Sequence, residues 1–568
     1  MPYVVTQSCC ADASCVQACP VNCIHPAPGE PGFGTAEMLY VDAKSCVDCG
    51  ACATACPVEA IKPHTTLTPA EQPFLALNAA YYDCFPHADR HPLAIIEKQR
   101  RLQVPGPFRV AVIGAGPAGL YTADELLKHP EIEGVDVYDR LPTPYGLVRY
   151  GVAPDHGHTK QVEQLFRAVE ELPGFRYFLG VEVGRDVTLA DLREQYHAVV
   201  YATGAASDRR LGVPGEQLPG SLSATELVAW YNGHPDRADL PVPLEHERAV
   251  VIGNGNVALD VARILTADLT ALERTDMSAL AWAALQRSSI REVVVLGRRG
   301  PADAAFTLPE LVGLAALEDV DVVVDADPAS LAPGAPGDGA KLELLREIAS
   351  RTPVEGRRRL VLRFHTSPVA VLGEDAVTGL RVVRDGVEED LDCGLVLRAI
   401  GYRGLPVADL PYDEATGTVP NDAGRVETGL YVAGWVKRGP SGFIGTNKTC
   451  AQETVTAILD DLDAGRPGLP APVGTADTIA TVVAERAPEV IDLAGWRRLD
   501  AEERRRGAAR GRPRAKVVEL AEMRRLARAG EATGPGRPGR AGRGGGAAAA
   551  VRRYASVREI IRGSDRRR

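Results

Sequence analysis

The sequence predicts an α/β protein in which two three-layer domains follow a small, cysteine-rich α+β domain. Two observations support this fold class. Nine of the twelve cysteines fall within the first 56 residues, which indicates a compact unit of its own. Further along the chain, two short β-branched runs each lead into a glycine-rich turn, near residues 114 and 253. A strand, a tight glycine turn and a helix in this order begin a parallel three-layer domain, so two such domains are expected.

Length and composition are those of a multidomain globular protein. At 568 residues the chain is too long for one hydrophobic core, and about three to four domains are expected. Hydrophobic residues make up 45% of the chain and charged residues 24%, which is ordinary for a globular protein. No apolar run reaches the ~18 residues that a membrane helix needs, so no membrane span is expected.

The early cysteines follow the pattern C-x2-C-x2-C-x3-C-P twice, with one substitution. The first run consists of Cys9, Asp12, Cys15 and Cys19, and the second of Cys46, Cys49, Cys52 and Cys56. Zinc sites also use paired cysteines, but they would not explain the proline that closes each run. Disulfides need an oxidising compartment, and the sequence shows no signal peptide. The pattern therefore predicts two iron–sulfur clusters in a cytoplasmic protein.

The closing cysteine of each run ligates the cluster of the opposite run in this pattern. One cluster is therefore expected on Cys19, Cys46, Cys49 and Cys52, and its four thiolates predict [4Fe–4S]. The other cluster has the thiolates of Cys9, Cys15 and Cys56. It is expected to be either [3Fe–4S] or a second [4Fe–4S] in which Asp12 binds a labile iron. Cys10 in place of Cys9 is an open alternative, since the two are adjacent.

The first glycine turn, at residues 114–119, reads G-x-G-x-x-G between a strand pattern and a helix pattern. Gly114 permits the tight turn, and Gly116 lets a pyrophosphate approach the N-terminus of the helix. Gly119 lets the helix pack closely on the strand. Asp139 ends the next predicted strand, where a carboxylate accepts hydrogen bonds from ribose hydroxyls. The segment therefore predicts a dinucleotide site.

The second glycine turn has the same order of strand, turn and helix, with Gly253 and Gly255 at the first two small-residue positions and Ala258 at the third. The strand that follows ends in Arg298 and Arg299 instead of an acidic residue. Arginine at this place accommodates a 2′-phosphate, so the site is expected to prefer NADPH over NADH. Two dinucleotide sites in one chain indicate a flavoprotein that is supplied with electrons by a nicotinamide coenzyme.

Two resemblances cover most of the chain. Residues 1–64 resemble a bacterial ferredoxin with seven iron atoms, because the phrase Cys-Pro-Val-x-x-Ile occurs at residues 19–24 and again at 56–61. Residues 107–460 resemble the adrenodoxin-reductase-type ferredoxin–NADP reductases. The matching phrases are at residues 144–156, 253–260, 297–301, 306–311 and 434–440. The whole chain thus resembles the fused ferredoxin/ferredoxin–NADP reductases.

This resemblance implies that the first three-layer domain binds FAD and the second binds NADP. The residues it implies for FAD are Ala118, Asp139, Leu147, Trp435 and Gly442. Those it implies for NADP are Asn254, Gly255, Asn256, Val257, Arg298, Arg299, Glu310 and Gly442. His156 and Glu310 are expected near the nicotinamide as catalytic residues; a loop histidine that only bonds to the backbone is the alternative for His156.

The function that the resemblance implies is electron transfer from NADPH through FAD to the clusters. From there electrons are expected to reach a separate soluble ferredoxin or a cytochrome P450 chain. A monomer without a nucleic-acid partner is expected. The alternatives are an electron-input subunit like the small subunit of glutamate synthase, and a redox sensor whose clusters report oxidants.

The composition also predicts domain boundaries. The expected units are a ferredoxin domain at 1–64, a partly helical connector at 65–106, a discontinuous FAD domain at 107–205 and 400–475, an NADP domain at 206–399, a helical segment at 476–512 and a tail at 513–568. From Arg497 onward there are 22 Lys and Arg against 8 Asp and Glu. The tail is rich in Arg, Gly and Ala and is expected to be disordered, with a short helix at 554–561. It lacks interleaved aromatic residues, which favours a solvated tail, or one attracted to the acidic body of the protein, over a tail that binds nucleic acid.

Overall fold

A computed structural model describes residues 2–93, 99–205, 207–334, 339–465 and 475–529. Its architecture confirms the predicted fold class: a small α+β domain precedes two three-layer α/β domains. No helix in these ranges is long and apolar enough to cross a membrane.

The cysteine-rich domain is built on two small antiparallel sheets. Strand Tyr3–Val5 pairs with Ile61–Pro63, and strand Ile24–His25 pairs with Tyr40–Val41. Its helices, of which the three with three residues are 3-10 turns, are Ser14–Ala18, Phe33–Thr35, Ala51–Ala55, His64–Thr66, Pro69–Glu71 and Pro73–Cys84. The two five-residue helices, Ser14–Ala18 and Ala51–Ala55, lie at equivalent positions in the two cysteine runs, which is consistent with a duplicated unit.

Helix Pro73–Cys84 belongs to this domain, which corrects the expected boundary at residue 64. The Asn78 side chain accepts hydrogen bonds from the amides of Val5 (3.2 Å) and Val41 (3.0 Å) and donates to the Val5 carbonyl (2.9 Å). Phe74 is buried in the same core. The helix therefore ties the two small sheets together. The small core needs this cover, because the strands alone bury little apolar surface.

The first three-layer domain contains a six-stranded sheet that is parallel except at one edge. In spatial order its strands are Arg425–Glu427, Leu430–Val432, Ala198–Tyr201, Phe108–Ile113, Ile132–Asp139 and Phe175–Leu179. Its helices are Pro117–Leu126, Leu147–Tyr150, Gly157–Lys160, Glu163–Glu170, Leu189–Gln195, Trp435–Arg438 and Thr446–Ala464. Two of its strands come from beyond residue 400, so this domain is discontinuous in sequence.

The second three-layer domain contains a fully parallel sheet. In spatial order its strands are Ser221–Ser223, Leu395–Arg398, Arg248–Ile252, Glu292–Leu296, Arg358–Arg363 and Val320–Asp325. Its helices and 3-10 turns are Ala224–Tyr231, Pro235–Arg237, Asn256–Thr266, Leu269–Glu273, Ala279–Leu285, Pro301–Asp303, Leu308–Ala315, Pro328–Leu331 and Ala340–Ala349. An antiparallel sheet of Thr366–Leu372, Gly379–Arg384 and Val387–Asp392 lies beside it. Where the chain crosses between the domains, Ser207–Asp208 pairs with Tyr402–Arg403.

The C-terminal segment folds onto both α/β domains through helices Ala476–Arg486, Leu493–Ala508 and Leu520–Ala527. The expectation that the disordered tail begins at 513 was wrong. Arg514 is buried and contacts Glu163 (2.5 Å) and Asp500 (3.0 Å), while buried Lys516 contacts Asp276 (3.0 Å). The composition shows that this segment is basic, but it does not show that buried acidic residues elsewhere in the chain pair with its basic side chains. The rest of the predicted tail, with its short helix at 554–561, lies outside the described residues.

Candidate nucleotide and iron–sulfur sites

The first glycine turn joins strand Phe108–Ile113 to helix Pro117–Leu126. Gly114 has a φ of +113°, and a Cβ there would overlap the Ala202 carbonyl. A Cβ on Gly119 would overlap the Gly114 carbonyl oxygen. At Gly116, by contrast, a Cβ would meet only the Gly146 Cα, at 3.9 Å, among the described residues. Space is therefore left at the N-terminus of the helix, where free amides bind a pyrophosphate.

Two further segments cover this turn. The Tyr145 amide donates to the Ala115 carbonyl (2.8 Å), which places Leu147, at the start of the next helix, beside the turn. On the other side a Cβ on Gly434 would overlap Ala118. The residues expected to contact FAD thus come together from separate segments.

Trp435 follows Gly434 at the start of its helix, and its indole Nε1 donates to the Ser441 carbonyl (3.2 Å). Gly442 has a φ of +79°, and a Cβ there would lie 2.6 Å from Thr446 Oγ1. Residues 435–442 therefore form a tight loop next to the first turn.

Asp139 lies at the end of its strand, as the sequence predicts. Its two carboxylate oxygens accept hydrogen bonds from the amides of Ala115 (2.9 Å) and Leu141 (2.9 Å). Burial raises the pKa of this carboxyl. The side chain therefore fixes the shape of the glycine turn, and its remaining lone pairs could accept hydrogen bonds from ribose hydroxyls.

The second glycine turn joins strand Arg248–Ile252 to helix Asn256–Thr266. Gly253 has a φ of +109°, while no heavy atom in the described ranges lies within 4 Å of a Cβ built on Gly255. Two hydrogen bonds join this turn to the loop that precedes helix Leu308–Ala315. Asn256 Oδ1 accepts from the Thr307 amide (2.8 Å), and Asn254 Oδ1 from the Ala305 amide (3.4 Å). Val257 is half-buried in the first turn of its helix.

Arg298 and Arg299 are both exposed directly after strand Glu292–Leu296. This strand lies next to the strand that enters the second turn, so the two arginines lie at the same sheet edge as the glycines. The Arg299 guanidinium is 3.6 Å from Asp303 at the surface. The geometry can present two guanidinium groups to a phosphate from solvent.

His156 and Glu310, which are far apart in the sequence, meet between the two α/β domains. His156 Nε2 lies 3.9 Å from Glu310 Oε2 and 3.9 Å from Asp260 Oδ1. The same nitrogen accepts a hydrogen bond from Arg263 Nη2 (2.8 Å), so the ring does not merely bond to the backbone. Arg263 also contacts Asp155 (2.6 Å) and Asp260 (2.6 Å).

The electrostatics of this cluster centre on Glu310. Burial and the charge of Asp260 raise the pKa of the Glu310 carboxyl, whereas His156, Arg263 and Gln7 lower it. Arg263 is not among the residues expected from the sequence, although its spacing of three residues from Asp260 on one helix is a signal. Gln7 is not among them either, because no local sequence pattern connects it to Glu310.

Cys9, Asp12, Cys15 and Cys56 form the first candidate cluster site, which we call the inner site. Burial raises the pKa of the Cys15 thiol, and the charges of Asp12, Cys9 and Cys56 raise it further, so these groups lie close together. The Cys10 thiol is buried beside them. Asp12 is itself buried, and its carboxylate accepts hydrogen bonds from the Ser14 amide (3.3 Å) and the Ser14 hydroxyl.

Cys19, Cys46, Cys49 and Cys52 form the second candidate cluster site, which we call the outer site. These four thiols line one cavity, together with Cys23. Cys23 Sγ lies 3.4 Å from Cys19 Sγ. Four cysteines around one cavity fit the thiolate set of a [4Fe–4S] cluster. Cys49 is exposed and Val47 is 58% exposed, so this site opens to the surface.

The inner site faces the first α/β domain. The Gly445 amide, just before helix Thr446–Ala464, donates to the Cys10 carbonyl (2.8 Å). A Cβ on Gly445 would overlap the backbone at Ala11 and Asp12. Lys448 Nζ donates to the Asp12 carbonyl (3.2 Å). The cysteine-rich domain is thus docked with one of its two candidate cluster sites against the domain of the first glycine turn.

Together these sites define a class of protein: a two-dinucleotide oxidoreductase of the flavoprotein kind with a fused iron–sulfur domain. A family model for pyridine nucleotide-disulphide oxidoreductases matches residues 108–291, and a model for 4Fe-4S binding domains matches residues 39–62. The second model covers only the second cysteine run.

Relatives cover nearly the whole chain. A "probable ferredoxin/ferredoxin–NADP reductase" of Mycobacterium leprae is 50% identical over 92% of this chain and 97% of its own length. The mitochondrial NADPH:adrenodoxin oxidoreductase of Arabidopsis thaliana is 40% identical over 72% of this chain and 94% of its own. The structure of Mycobacterium tuberculosis FprA in complex with NADPH is 43% identical, covers 74% of this chain and 99% of its own, and superposes with a TM-score of 0.71. The chain belongs to the ferredoxin/ferredoxin–NADP reductase family.

Proposed function

We propose that electrons from NADPH pass through FAD to the inner cluster, then to the outer cluster, and from there to a ferredoxin-type acceptor. FAD, when bound, exchanges the two electrons of a hydride for single electrons. The observation that carries the proposed order is the contact between Gly445 and the backbone of Cys10–Asp12. It brings the inner site against the domain with the first glycine turn, while the outer site opens to the surface at Cys49 and Val47.

The inner site is proposed to hold [3Fe–4S] and the outer site [4Fe–4S]. The Asp12 carboxylate is already engaged by the amide and hydroxyl of Ser14, which favours a structural role over ligation of a fourth iron. Carboxylate is also a harder ligand than thiolate and holds a cluster iron less firmly.

Asp12→Cys tests the iron count. The variant completes a four-thiolate set, so we expect the [3Fe–4S] signal of the oxidised wild type to disappear and the iron content to rise by about one atom per chain. The measurement is iron quantitation with electron paramagnetic resonance on both proteins, purified with and without air. A wild type with eight irons and no [3Fe–4S] signal under either condition would show that the inner site binds a fourth iron firmly.

Gly445→Ala tests the order of transfer. Its Cβ would overlap the backbone at Ala11 and Asp12, so the cysteine-rich domain must shift away from the first α/β domain. We expect electron transfer from the reduced flavin to the clusters to be at least several-fold slower than in the wild type, whatever the rate at which NADPH reduces the flavin. Rapid-freeze electron paramagnetic resonance follows each cluster.

The matched control is Gly34→Ala in the cysteine-rich domain, an exposed position where the backbone is not left-handed and a Cβ would have no described heavy atom within 4 Å. If Gly445→Ala reduces its inner cluster as fast as the control, the docking contact is not on the path.

The nicotinamide is proposed to lie beside Glu310 and His156. As a hydride leaves NADPH, positive charge develops on the nicotinamide ring, and a nearby carboxylate stabilises that charge. The Glu310 carboxylate is held within a cluster that includes Arg263 and His156, so it is positioned before the coenzyme arrives. Arg298 and Arg299 are proposed to hold the 2′-phosphate.

The acceptor is proposed to be a separate soluble ferredoxin or a cytochrome P450 chain. Cluster thiolates are stable in a reducing compartment, and we therefore propose the cytoplasm. A monomer is proposed, which gel filtration would place near 60.5 kDa. Elution in a much larger complex with a co-purifying subunit would favour the alternative of an electron-input subunit. Failure of NADPH to reduce either cluster would favour a redox sensor.

A further inference from the structure

Gln7, a residue of the cysteine-rich domain, reaches across a domain boundary to the proposed nicotinamide site. Its side-chain amide Nε2 donates a hydrogen bond to Glu310 Oε2 at 3.1 Å, across 303 residues of sequence. His156 Nε2 and Arg263 Nη1 both lie 3.9 Å from the same oxygen. In the part of the chain that the structure describes, Gln7 is therefore the one side chain within hydrogen-bond distance of the Glu310 carboxylate.

A glycine on the opposite side of the boundary provides the room for this contact. Gly313 lies inside helix Leu308–Ala315, where glycine is unfavourable. A Cβ at Gly313 would lie 2.5 Å from Gln7 Nε2 and 2.6 Å from Gln7 Oε1. The helix that carries Glu310 thus has a notch at the place where the Gln7 amide lies against it.

The same helix is held by a second contact from the cysteine-rich domain. The Glu37 carboxylate accepts a hydrogen bond from the Leu308 amide at 2.9 Å, at the start of the helix. Val312, on the same helix, is buried in the core of the cysteine-rich domain. The contact of Gln7 with Glu310 is therefore part of a packed interface and not an isolated surface approach.

We infer that Gln7 is a positioning residue for hydride transfer: the iron–sulfur domain holds the Glu310 carboxylate in place at the nicotinamide. This inference rests on the proposed place of Glu310. The iron–sulfur domain then has two roles. It receives electrons from the flavin, and it also helps to form the site at which NADPH reduces the flavin. The other charged groups that face Glu310 are His156, Asp260 and Arg263.

The first test is Gln7→Met, which keeps the length of the side chain and removes the donor. Without that hydrogen bond the carboxylate is free to turn from the positively charged ring of NADP⁺. We expect NADP⁺ to bind about three- to tenfold more weakly, which corresponds to the net contribution of one ordinary hydrogen bond. Binding of 2′,5′-ADP, which lacks the nicotinamide, should be unchanged. Equilibrium titration followed by flavin absorbance measures both ligands.

The second test is Gly313→Ala, which leaves the sequence of the iron–sulfur domain intact. Its Cβ would displace the Gln7 amide, while alanine favours the helix. We expect the same selective loss of NADP⁺ affinity, and a slower flavin reduction by NADPH with a larger deuterium isotope effect. Iron content equal to that of the wild type shows that neither variant disturbs the clusters. The control is Gln17→Met, an exposed glutamine of the same domain, which should leave all of these quantities unchanged.

A double-mutant cycle separates this inference from the proposed function. If Gln7 acts through Glu310, Gln7→Met has no further effect on NADP⁺ binding in a Glu310→Gln background. If Glu310→Gln alone leaves NADP⁺ binding and flavin reduction unchanged, the proposed place of Glu310 is wrong. If Glu310→Gln weakens NADP⁺ but Gln7→Met and Gly313→Ala do not, or if the two effects add in full, the positioning role of Gln7 is overturned and Glu310 keeps its place.

Discussion

The glycine turn at residues 114–119 is covered by the loop of Tyr145 and by the segment at Gly434. The turn at 253–258 is hydrogen-bonded to the loop at residues 305–307 and lies beside two exposed arginines, with space left at Gly255. Both turns have the same order of strand, turn and helix, and both leave space at the second glycine. They differ in their surroundings. Cover slows dissociation of a bound ligand, so the first turn suits a dinucleotide that stays bound and the second suits one that exchanges. The local motif sets what kind of molecule binds, and its neighbours set how long it stays.

The two turns also differ at their third small residue, and this difference gives the largest expected effect. Gly119→Ala would bring a Cβ into the Gly114 carbonyl oxygen, so the first turn cannot keep its shape. We expect the variant to lose most of its flavin on gel filtration, as measured by flavin absorbance per chain.

The matched change in the second turn is Ala258→Gly, which removes a Cβ that fits. It should cost only about 1 kcal/mol of helix stability and leave flavin content unchanged. Full flavin retention by Gly119→Ala would show that the first turn is no more tightly packed than the second.

The strand after the first turn ends in the acidic Asp139, whereas the strand after the second turn is followed by the basic Arg298 and Arg299. This difference predicts an effect of intermediate size. Replacing Arg298 and Arg299 with alanine should weaken NADPH use by about 2 kcal/mol, because charge-assisted hydrogen bonds to the 2′-phosphate are lost. NADH use should be nearly unaffected. Steady-state kinetics with both coenzymes measures kcat/KM for each. Replacing the exposed Arg505 and Arg510 on the C-terminal segment controls for the loss of two positive charges. Equal losses for NADPH and NADH would refute the 2′-phosphate assignment.

The cover over the first turn predicts a smaller, pH-dependent effect. Tyr145 in that cover donates a hydrogen bond to buried Glu170 (2.8 Å), and burial raises the pKa of Glu170 to about 7. A carboxyl whose pKa is raised on folding contributes stability that is present below its unfolded pKa of about 4.3 and is lost as the pH rises through about 7. We therefore expect the wild-type thermal midpoint to fall over this range by a few degrees more than that of Glu170→Gln.

Calorimetry across this pH range compares both proteins with Glu171→Gln, which removes an exposed carboxyl next in sequence. If the thermal midpoints of wild type and Glu170→Gln change with pH in parallel, ionisation of Glu170 does not destabilise the segment that covers the first turn.

The fold class and the positions of the glycine turns could be predicted from the sequence, because each depends on residues that are close together in the chain. The spacing from Cys46 to Cys56 fixes a cluster-binding loop, and the glycines at 114 and 253 fix turns that the structure shows with positive φ. Asp139 could be predicted because it ends a strand at a set distance from its turn. Local spacing suffices in these cases, since the backbone geometry of a few residues determines them.

The boundaries of the outer segments could not be predicted in this way. The sequence assigns helix Pro73–Cys84 to a connector, because the pattern of the helix does not show that Asn78 bonds to strands far earlier in the chain. It assigns residues 513–529 to a disordered tail, because composition does not show the buried acidic residues that pair with Arg514. In both cases the partners lie in another part of the sequence.

What the sequence alone determined is therefore the chemistry of each separate site: which thiols, glycines and arginines are available and in what spacing. Only the tertiary structure decided how the sites face one another. It placed the inner cluster site against Gly445, Arg263 against His156, and Gln7 against Glu310. The physical reason is that these contacts depend on how separately folded domains pack, and packing joins residues more than a hundred positions apart that no local pattern connects.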